Sequence, residues 1–581
     1  MEVKIILRKE ELLPWFETLM SQKILAMDTE TTGLDPRTDR VRLLQIAAPD
    51  MPTLVIDCFS FLPEGAELLK ELMAAPSVKI FHNAKFDLQF LMPHDIFVDK
   101  IFDTMLAAQL LKSSGGPERF SLKAVAWHYL EESVDKEEQT SNWGGELTRR
   151  QIEYAALDAE ILLRLRSVLV EKIYENGLAR VAEIEFHCAR AVAFMEYHGI
   201  YLNMGKWREL TAQKEAERDV ALKKMYKFTG PPAVQTTLWA DEGKEEILGC
   251  DFDSSTYVVQ MLNDNGVPVT GTSKLDLLPY RSHPLVAALS DYRKAAKALS
   301  SFLYPFPGML ERKTSRLHPN YGQISAWSGR MSCYNPNVQQ IPRDAEFRGC
   351  FTARSGRKLL IADYSQIELR VAAQIARDRR MTEAYRNGED LHLLTASLVQ
   401  NKPMADVTKA ERQAAKAVNF GLIFGMGAAG LQQYAELSYG VTMTLEEATA
   451  FRERYFKAYT GILKWHETVR AALPAEGRTL TGRKFLYDGN SGLPTYYNSP
   501  VQGTAADIMK YALGLMVRRI DLHDTYICAV IHDEIILEVP EEKSEETAAL
   551  LKRTMEEAGN AILPDIPVVS EVVVSDSWAD K

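Results

Sequence analysis

The stretch Ala529–Pro540, AVIHDEIILEVP, decides how the carboxy-terminal half of the chain is read. Apolar residues flank His532, Asp533 and Glu534 on both sides. A buried carboxylate without a partner is costly, so two adjacent ones do not belong in mid-strand. Reading YICAVI (526–531) and IILEVP (535–540) as the two strands of a hairpin removes the conflict. His532 and Asp533 then fall at the tight turn, and the carboxylates stand at its tip rather than among apolar groups.

Upstream, RKLLIADYSQIELRVAAQIA begins as an apolar strand over Leu359–Ala362 and ends at Asp363. It continues as a helix with Ile367, Val371 and Ile375 on one side. Asp363 alone reads equally well as a helix N-cap, and the hairpin turn alone as a polar turn. Placed side by side, Asp363 and Asp533 form a site for two Mg²⁺ ions, which would cancel their repulsion. In ERQAAKAVNFGLIFGMGAAG, Arg412, Lys416, Phe420 and Phe424 recur every four residues. On a helix they make one slowly turning stripe about 18 Å long. Cations suit a triphosphate and a ring suits a base or sugar. A buried aromatic stripe with snorkelling cations is the plainer alternative. Gly421, Gly425 and Gly427 are read as thinning the surface for a ligand.

The first 170 residues carry a second carboxylate set. Asp28 and Glu30 in KILAMDTETTGLDP share one side of a strand end. Asp87 lies near a helix start in KIFHNAKFDLQFL, and Tyr154 and Asp158 in RRQIEYAALDAEILLRL share a helix face. Any one of these is ordinarily a cap or a surface charge. Together they offer oxygen-only ligands suited to two Mg²⁺ or Mn²⁺ ions, a way to cleave a phosphodiester, with Tyr154 orienting the water.

At 581 residues the chain is expected to form two to four domains. No apolar run reaches 18 residues, so no membrane span is expected. The N-terminus does not read as a targeting segment, and a cytoplasmic location is expected. Six scattered cysteines suggest neither zinc nor a disulfide framework. The net charge of −11 argues weakly against a nucleic-acid partner, but local clusters outweigh a net charge. From about Glu171 the pattern is helical, and Arg293, Lys294 and Lys297, then Arg312, Lys313 and Arg316, are candidate phosphate contacts.

MDTETTG, HNAKFD and YAALD resemble the three motifs of the DEDDy 3′→5′ exonucleases, and Asp103 in IFDTMLAAQLL resembles a recurrent segment of that fold. The Asp363, Arg412–Phe424 and Asp533 segments resemble motifs A, B and C of the family A, polymerase I-like DNA polymerases. SGRMSCYNPNVQQIP with Arg330, DLHLLTA with His392, NSPVQGTAADIMK with Asn498 and Gln502, and the closing SWADK agree in order. FDSSTYVVQMLNDNGV resembles a thumb segment. The resemblance covers nearly the whole chain and implies a multidomain α/β and α+β protein of Klenow type, without a 5′ nuclease domain. An RNase H-like exonuclease domain (1–172) would precede a right-hand polymerase (173–581). The thumb would span about 200–310, the palm about 316–375 and 500–581, and the fingers about 376–499.

The same resemblance implies DNA synthesis from dNTPs on primer-template DNA with proofreading, in DNA replication. It assigns the polymerase metals to Asp363 and Asp533, with Glu534 in support. Arg412, Lys416 and His392 would hold phosphates, and Lys416 would protonate pyrophosphate. Gln366, Glu368, Phe420 and Phe424 would face the dNTP, with Glu368 crowding a ribose 2′-OH. Arg330, Asn498, Gln502, His532, Arg293 and Lys297 would touch DNA. Phe424 stands where the family usually has tyrosine. The basic residue after Ile341-Pro342, Arg343, is offset by one from the family's arginine and receives no role. A single-subunit RNA polymerase and a non-catalytic DNA-binding relic are the alternatives. Glu368 and the intact carboxylate sets speak against them. A monomer is expected, with any processivity factor unidentified.

Overall fold

The computed structural model describes residues 2–133, 138, 141–231, 233–235, 246–248 and 250–581. The amino-terminal part is built on six strands: β1 (Val3–Ile6), β2 (Ile24–Thr31), β3 (Val41–Ala47), β4 (Thr53–Asp57), β5 (Val78–Phe81) and β6 (Ile101–Asp103). Their order in the sheet is β1-β4-β3-β2-β5-β6. β2 pairs antiparallel with β3 and parallel with β5, so it is central and its end opens onto one edge of the sheet.

Helix α1 (Ala84–Leu91) starts at Asn83, whose φ of +67° turns the chain sharply after β5. Asp103 accepts from the backbone N–H groups of Asn83 (3.1 Å) and Ala84 (2.8 Å), and from those of Met105 (2.8 Å) and Leu106 (3.1 Å) in the next helix. One buried carboxylate thus caps two helix starts. Helix α2 (Arg149–Glu175) opens with a capping box between Thr148 and Gln151 and buries Ala155, Asp158, Ala159 and Leu162 against the sheet. It ends three residues past the expected division at 172, and Asn176–Leu178 link it to α3 (Ala179–His198).

Helices α4 (Met204–Thr229) and α5 (Pro284–Ala298), within the stretch expected to be the thumb, pack together. A short hairpin, β7 (Asn320–Gly322) and β8 (Ser332–Tyr334), leads into the palm. There β9 (Arg357–Tyr364) precedes α6 (Ile367–Ala376), followed by α7 (Leu391–Gln400) and α8 (Lys409–Ile423) in the stretch expected to be the fingers. The hairpin β10 (Glu476–Arg478) and β11 (Lys484–Leu486) comes next, then α9 (Leu493–Met516). Strands β12 (Tyr526–Ile531), β13 (Glu534–Pro540) and β14 (Ser570–Ser575) complete an antiparallel palm sheet of order β12-β13-β9-β14. Leu359–Ala362 and Ile535–Leu537 are fully buried in its centre. Alternation cannot show through such a doubly covered strand.

The hairpin reading holds, with one correction. Glu534 is the first residue of β13 and only 6% exposed, so it is buried rather than at the tip. A second correction concerns Arg316: it is 4% exposed and ion-paired with Glu538, so it is no phosphate contact. Among the described residues, no helix is long and apolar enough to cross a membrane.

Candidate active sites

In the amino-terminal domain, carboxylate oxygens of Asp28, Glu30 and Asp158 lie within 4.8 Å of one another. Asp87 and Tyr154 line the same cleft of about 760 Å³. The end of β2 brings Asp28 and Glu30, α1 brings Asp87, and α2 brings Tyr154 and Asp158. Thr29 Oγ donates to Asp87 at 2.7 Å and fixes its carboxylate.

Burial first, then Asp87, Asp158 and Glu30, hold the Asp28 carboxyl well above its usual range. Burial, then Asp158 and Asp87, push Glu30 up to about 9. Burial lifts Asp87 to about 7 against the pull of Thr29. Burial, followed by Asp158, also raises Tyr154, so its hydroxyl keeps its proton at neutral pH. Crowding these carboxyls together holds their pKa values up, and the donors the cleft offers are all oxygen. That donor set fits hard divalent cations.

In the carboxy-terminal domain, the ladder sets Asp363 of β9 directly opposite Glu534 of β13. The Tyr364 N–H donates to the Asp533 carbonyl at 3.2 Å, drawing the hairpin turn onto the end of β9. His532 holds φ +57° at that turn. Burial, with Asp363 adding to it, raises the Asp533 carboxyl. Glu534 accepts from Trp578 Nε1 at 2.6 Å and from Arg348 Nη1 at 3.4 Å, which accounts for a carboxylate inside the sheet. Lys581 Nζ is paired with Asp363 and occupies the place of a cation there. Oxygen donors holding a cation already are a fit for a divalent ion.

A cleft of about 600 Å³ beside this pair is lined by Arg330, Gln366, Glu368, Phe420, Phe424, Asn498, Gln502, His532 and Asp533, residues spread over 200 positions of sequence. Arg330 Nη2 pairs with Glu368. Burial raises the Glu368 carboxyl against the pull of Arg330. Burial, then Arg330, lowers the His532 imidazole. Gln366 sits at φ +56° before α6, and its Oε1 accepts from the Tyr385 hydroxyl at 3.1 Å. Asn498 and Gln502 are one turn apart on α9, with Gln502 Nε2 donating to Asn498 Oδ1 at 3.4 Å.

The motif B stripe is shorter than its spacing suggests. Arg412, Lys416 and Phe420 lie on α8, but Phe424 is its C-cap, at φ −100° and ψ 17°. Gly425, at φ +78°, ends the helix, and a Cβ there would lie 2.6 Å from the Tyr497 ring. Gly421 is likewise packed, 3.2 Å from Leu431 and Met426 by the same measure. Gly425 serves internal packing, a correction to the reading of a surface thinned for a ligand; Gly421 is packed and also lines the cleft, and Gly427 has open space around it.

Arg412 is fixed by Asp390 through Nε at 2.8 Å and Nη2 at 2.6 Å. His392 is 3% exposed, and Asn419 Nδ2 donates to its Nδ1 at 2.9 Å, which leaves the ring proton on Nε2. Burial lowers this imidazole to about 4, with Asp390 opposing and Arg412 and Lys416 adding to the effect. Its ring centroid is 5.9 Å from that of Phe420. On α5, Lys297 is exposed, and Arg293 is half-buried with Nη1 donating to the Thr272 carbonyl at 2.8 Å. Arg343, given no role from sequence, lines the carboxy-terminal cleft and opposes the upward push of burial on the Asp533 carboxyl. Only its position after Ile-Pro hinted at this.

A family model described as 3′–5′ exonuclease matches residues 3–174, and one described as DNA polymerase family A matches residues 240–580. DNA polymerase I of Aquifex aeolicus is 34% identical over 604 residues, covering 100% of this chain and 100% of that one. DNA polymerase I of Pseudomonas aeruginosa is 32% identical, over 97% of this chain and 64% of its own length. The solved POL domain of Pol1 from M. smegmatis, in complex with DNA primer-template and dNTP, matches with a TM-score of 0.80 at 25% identity, covering 99% of each chain. The chain therefore belongs to DNA polymerase family A and carries a 3′–5′ exonuclease domain ahead of its polymerase domain.

Proposed function

We propose that the two carboxylate sets divide the two activities of this enzyme: Asp363 and Asp533 serve DNA synthesis from dNTPs, and Asp28, Glu30, Asp87 and Asp158 serve 3′→5′ excision. The family's reactions use divalent cations, and two Mg²⁺ per site are assigned here to these carboxylates. When bound, the ions activate the attacking oxygen and offset charge on the leaving one. The observation that carries the reading is the convergence of motif A, B and C residues on one cleft beside Asp363.

Primer-template DNA enters along Arg330, Asn498, Gln502 and His532, with Arg293 and Lys297 on the thumb nearer its phosphates. Lys416, Arg412 and the Nε2–H of His392 hold the triphosphate, and Lys416 gives its proton to pyrophosphate. Phe420 and Phe424 pack against the incoming nucleotide, and Gln366 and Glu368 border its sugar. Glu368, pinned by Arg330, rejects a ribose 2′-OH by leaving it no room. Glu534 supports the metal site from within the sheet. In the other domain Tyr154, still protonated, orients the attacking water. The protein works as a monomer.

Primer extension with dNTPs, with rNTPs and with no nucleotide tests the assignment. Asp363→Asn or Asp533→Asn should cut extension by about 10²–10³-fold while primer degradation persists. Asp28→Ala with Glu30→Ala should do the reverse. Extension that survives either palm substitution would overturn the reading.

A further inference from the structure

Helix α1 is held on two opposite sides. Asp87 faces the exonuclease cleft, where Thr29 fixes it at 2.7 Å. Lys85 and Gln89 lie one helical turn apart, about 200° round the helix from Asp87. Both point to a single residue of the helix that follows the exonuclease domain, Glu196 on α3. Lys85 Nζ donates to Glu196 Oε1 at 2.6 Å, and Gln89 Nε2 donates to Oε2 at 2.7 Å. Glu196 Oε1 also accepts from the Tyr321 N–H at 2.6 Å, and Lys85 Nζ donates to the Tyr321 carbonyl at 2.8 Å. Glu196 is 5% exposed. A buried carboxylate receiving three donors is rigid, because releasing any one of them leaves charge without a partner in a dry site.

We infer that Glu196 is a positioning residue for the exonuclease metal site: α3, through Glu196, together with the β7 backbone, sets α1 and hence the carboxylate of Asp87. The exonuclease cleft is then complete only while α1 is seated on α3. Asp87 is the fourth residue of a helix of eight. Such a short helix is not stable by itself, so its orientation comes from its tertiary contacts. This inference rests on the assignment of Asp87 as a metal ligand, and the test separates the two.

The full chain is used, carrying Asp363→Asn and Asp533→Asn so that divalent ions report on the exonuclease cleft. Free Mn²⁺ is followed by electron paramagnetic resonance as protein is titrated. Glu196→Ala and Lys85→Met should each weaken Mn²⁺ binding by about 10–100-fold, the loss usual when a residue orienting a metal ligand is removed. Glu196→Gln keeps an acceptor for Tyr321 and should lose less. In the chain with its palm carboxylates intact, Glu196→Ala should raise the Mg²⁺ needed for half-maximal degradation of a single-stranded primer and leave extension unchanged. Circular dichroism identifies a variant that fails to fold, in which case Lys85→Met alone decides.

Asp87→Asn is the control. If it leaves Mn²⁺ binding unchanged, the site assignment falls and the inference with it. If it weakens binding while Glu196→Ala and Lys85→Met do not, the inference alone is overturned. Equal losses of extension and degradation in Glu196→Ala would also overturn it, since a general weakening of the fold does not discriminate between sites.

Discussion

Asp363 and Glu534 are directly opposed across the antiparallel ladder of the palm, so their side chains rise from the same face of the sheet. Like charges at such a pair are destabilising unless something intervenes. Here the two are treated differently. Glu534 is turned into the protein, onto Trp578 and Arg348. Asp363 faces outward, paired with Lys581. One member is committed to the framework and the other is left to bind a cation.

The Lys581 ammonium competes with any cation for Asp363. Lys581→Met should lower the Mg²⁺ concentration needed for half-maximal extension. An ion pair of this partial exposure is worth about 1 kcal/mol, a factor of about five in apparent affinity. A Mg²⁺ titration of the extension rate reads this directly, and an unmoved midpoint would contradict it.

Trp578→Phe keeps a ring but removes the donor to Glu534. A hydrogen bond to a charged group contributes about 1.5–3 kcal/mol. Urea denaturation should show a loss of stability of that order, and extension should fall more than primer degradation. Unchanged stability would mean that Arg348 alone satisfies the carboxylate.

The exonuclease carboxylates give the metal-free protein a definite pH dependence. Glu30 keeps its proton up to about 9 when folded, against 4.5 ordinarily. Between those values the folded state holds a proton that the unfolded chain has released, so stability falls as pH rises through the window. In EDTA, the melting temperature should decline from pH 5 to pH 9, and Glu30→Gln should raise it at pH 9 and flatten the slope. Calorimetry across this range checks it. A slope unaffected by the substitution would count against the raised carboxyl.

Phe420→Tyr should admit chain-terminating dideoxynucleotides. In a bound dNTP the 3′-hydroxyl can satisfy a phosphate oxygen of the same molecule, and a dideoxynucleotide lacks it. A tyrosine hydroxyl would supply the missing donor, worth about 1.5–3 kcal/mol or about 10- to 150-fold in selectivity. The measurement is the ddNTP to dNTP incorporation ratio in a background without exonuclease activity. No change would mean that Phe420 does not face the sugar, although it lines the cleft.

The elements of both sites were legible where chemistry is local. The β12–β13 hairpin announces itself by apolar runs broken at His532 and Asp533, and α2 by the four-residue spacing that sets Tyr154 and Asp158 on one face. What stayed hidden depends on partners far away in sequence. Glu534 reads as a tip residue because Arg348 and Trp578 stand 186 and 44 positions off. Arg316 reads as part of a basic run because Glu538 is 222 positions away. The four-residue spacing carried the motif B stripe through Phe424, whereas Gly425 stops the helix one residue earlier through its positive φ.

Helix α3 packs against α1 and β6 of the exonuclease domain and against α9 and β12 of the polymerase domain. Three residues separate it from α2. The seam between the two enzymes therefore runs along the side of a shared helix and not through a tether. An engineer who wishes to exchange the nuclease for another cannot cut at the join and splice. The replacement must arrive with side chains already fitted to Glu196 and its neighbours on α3, or the helix must be redesigned with it.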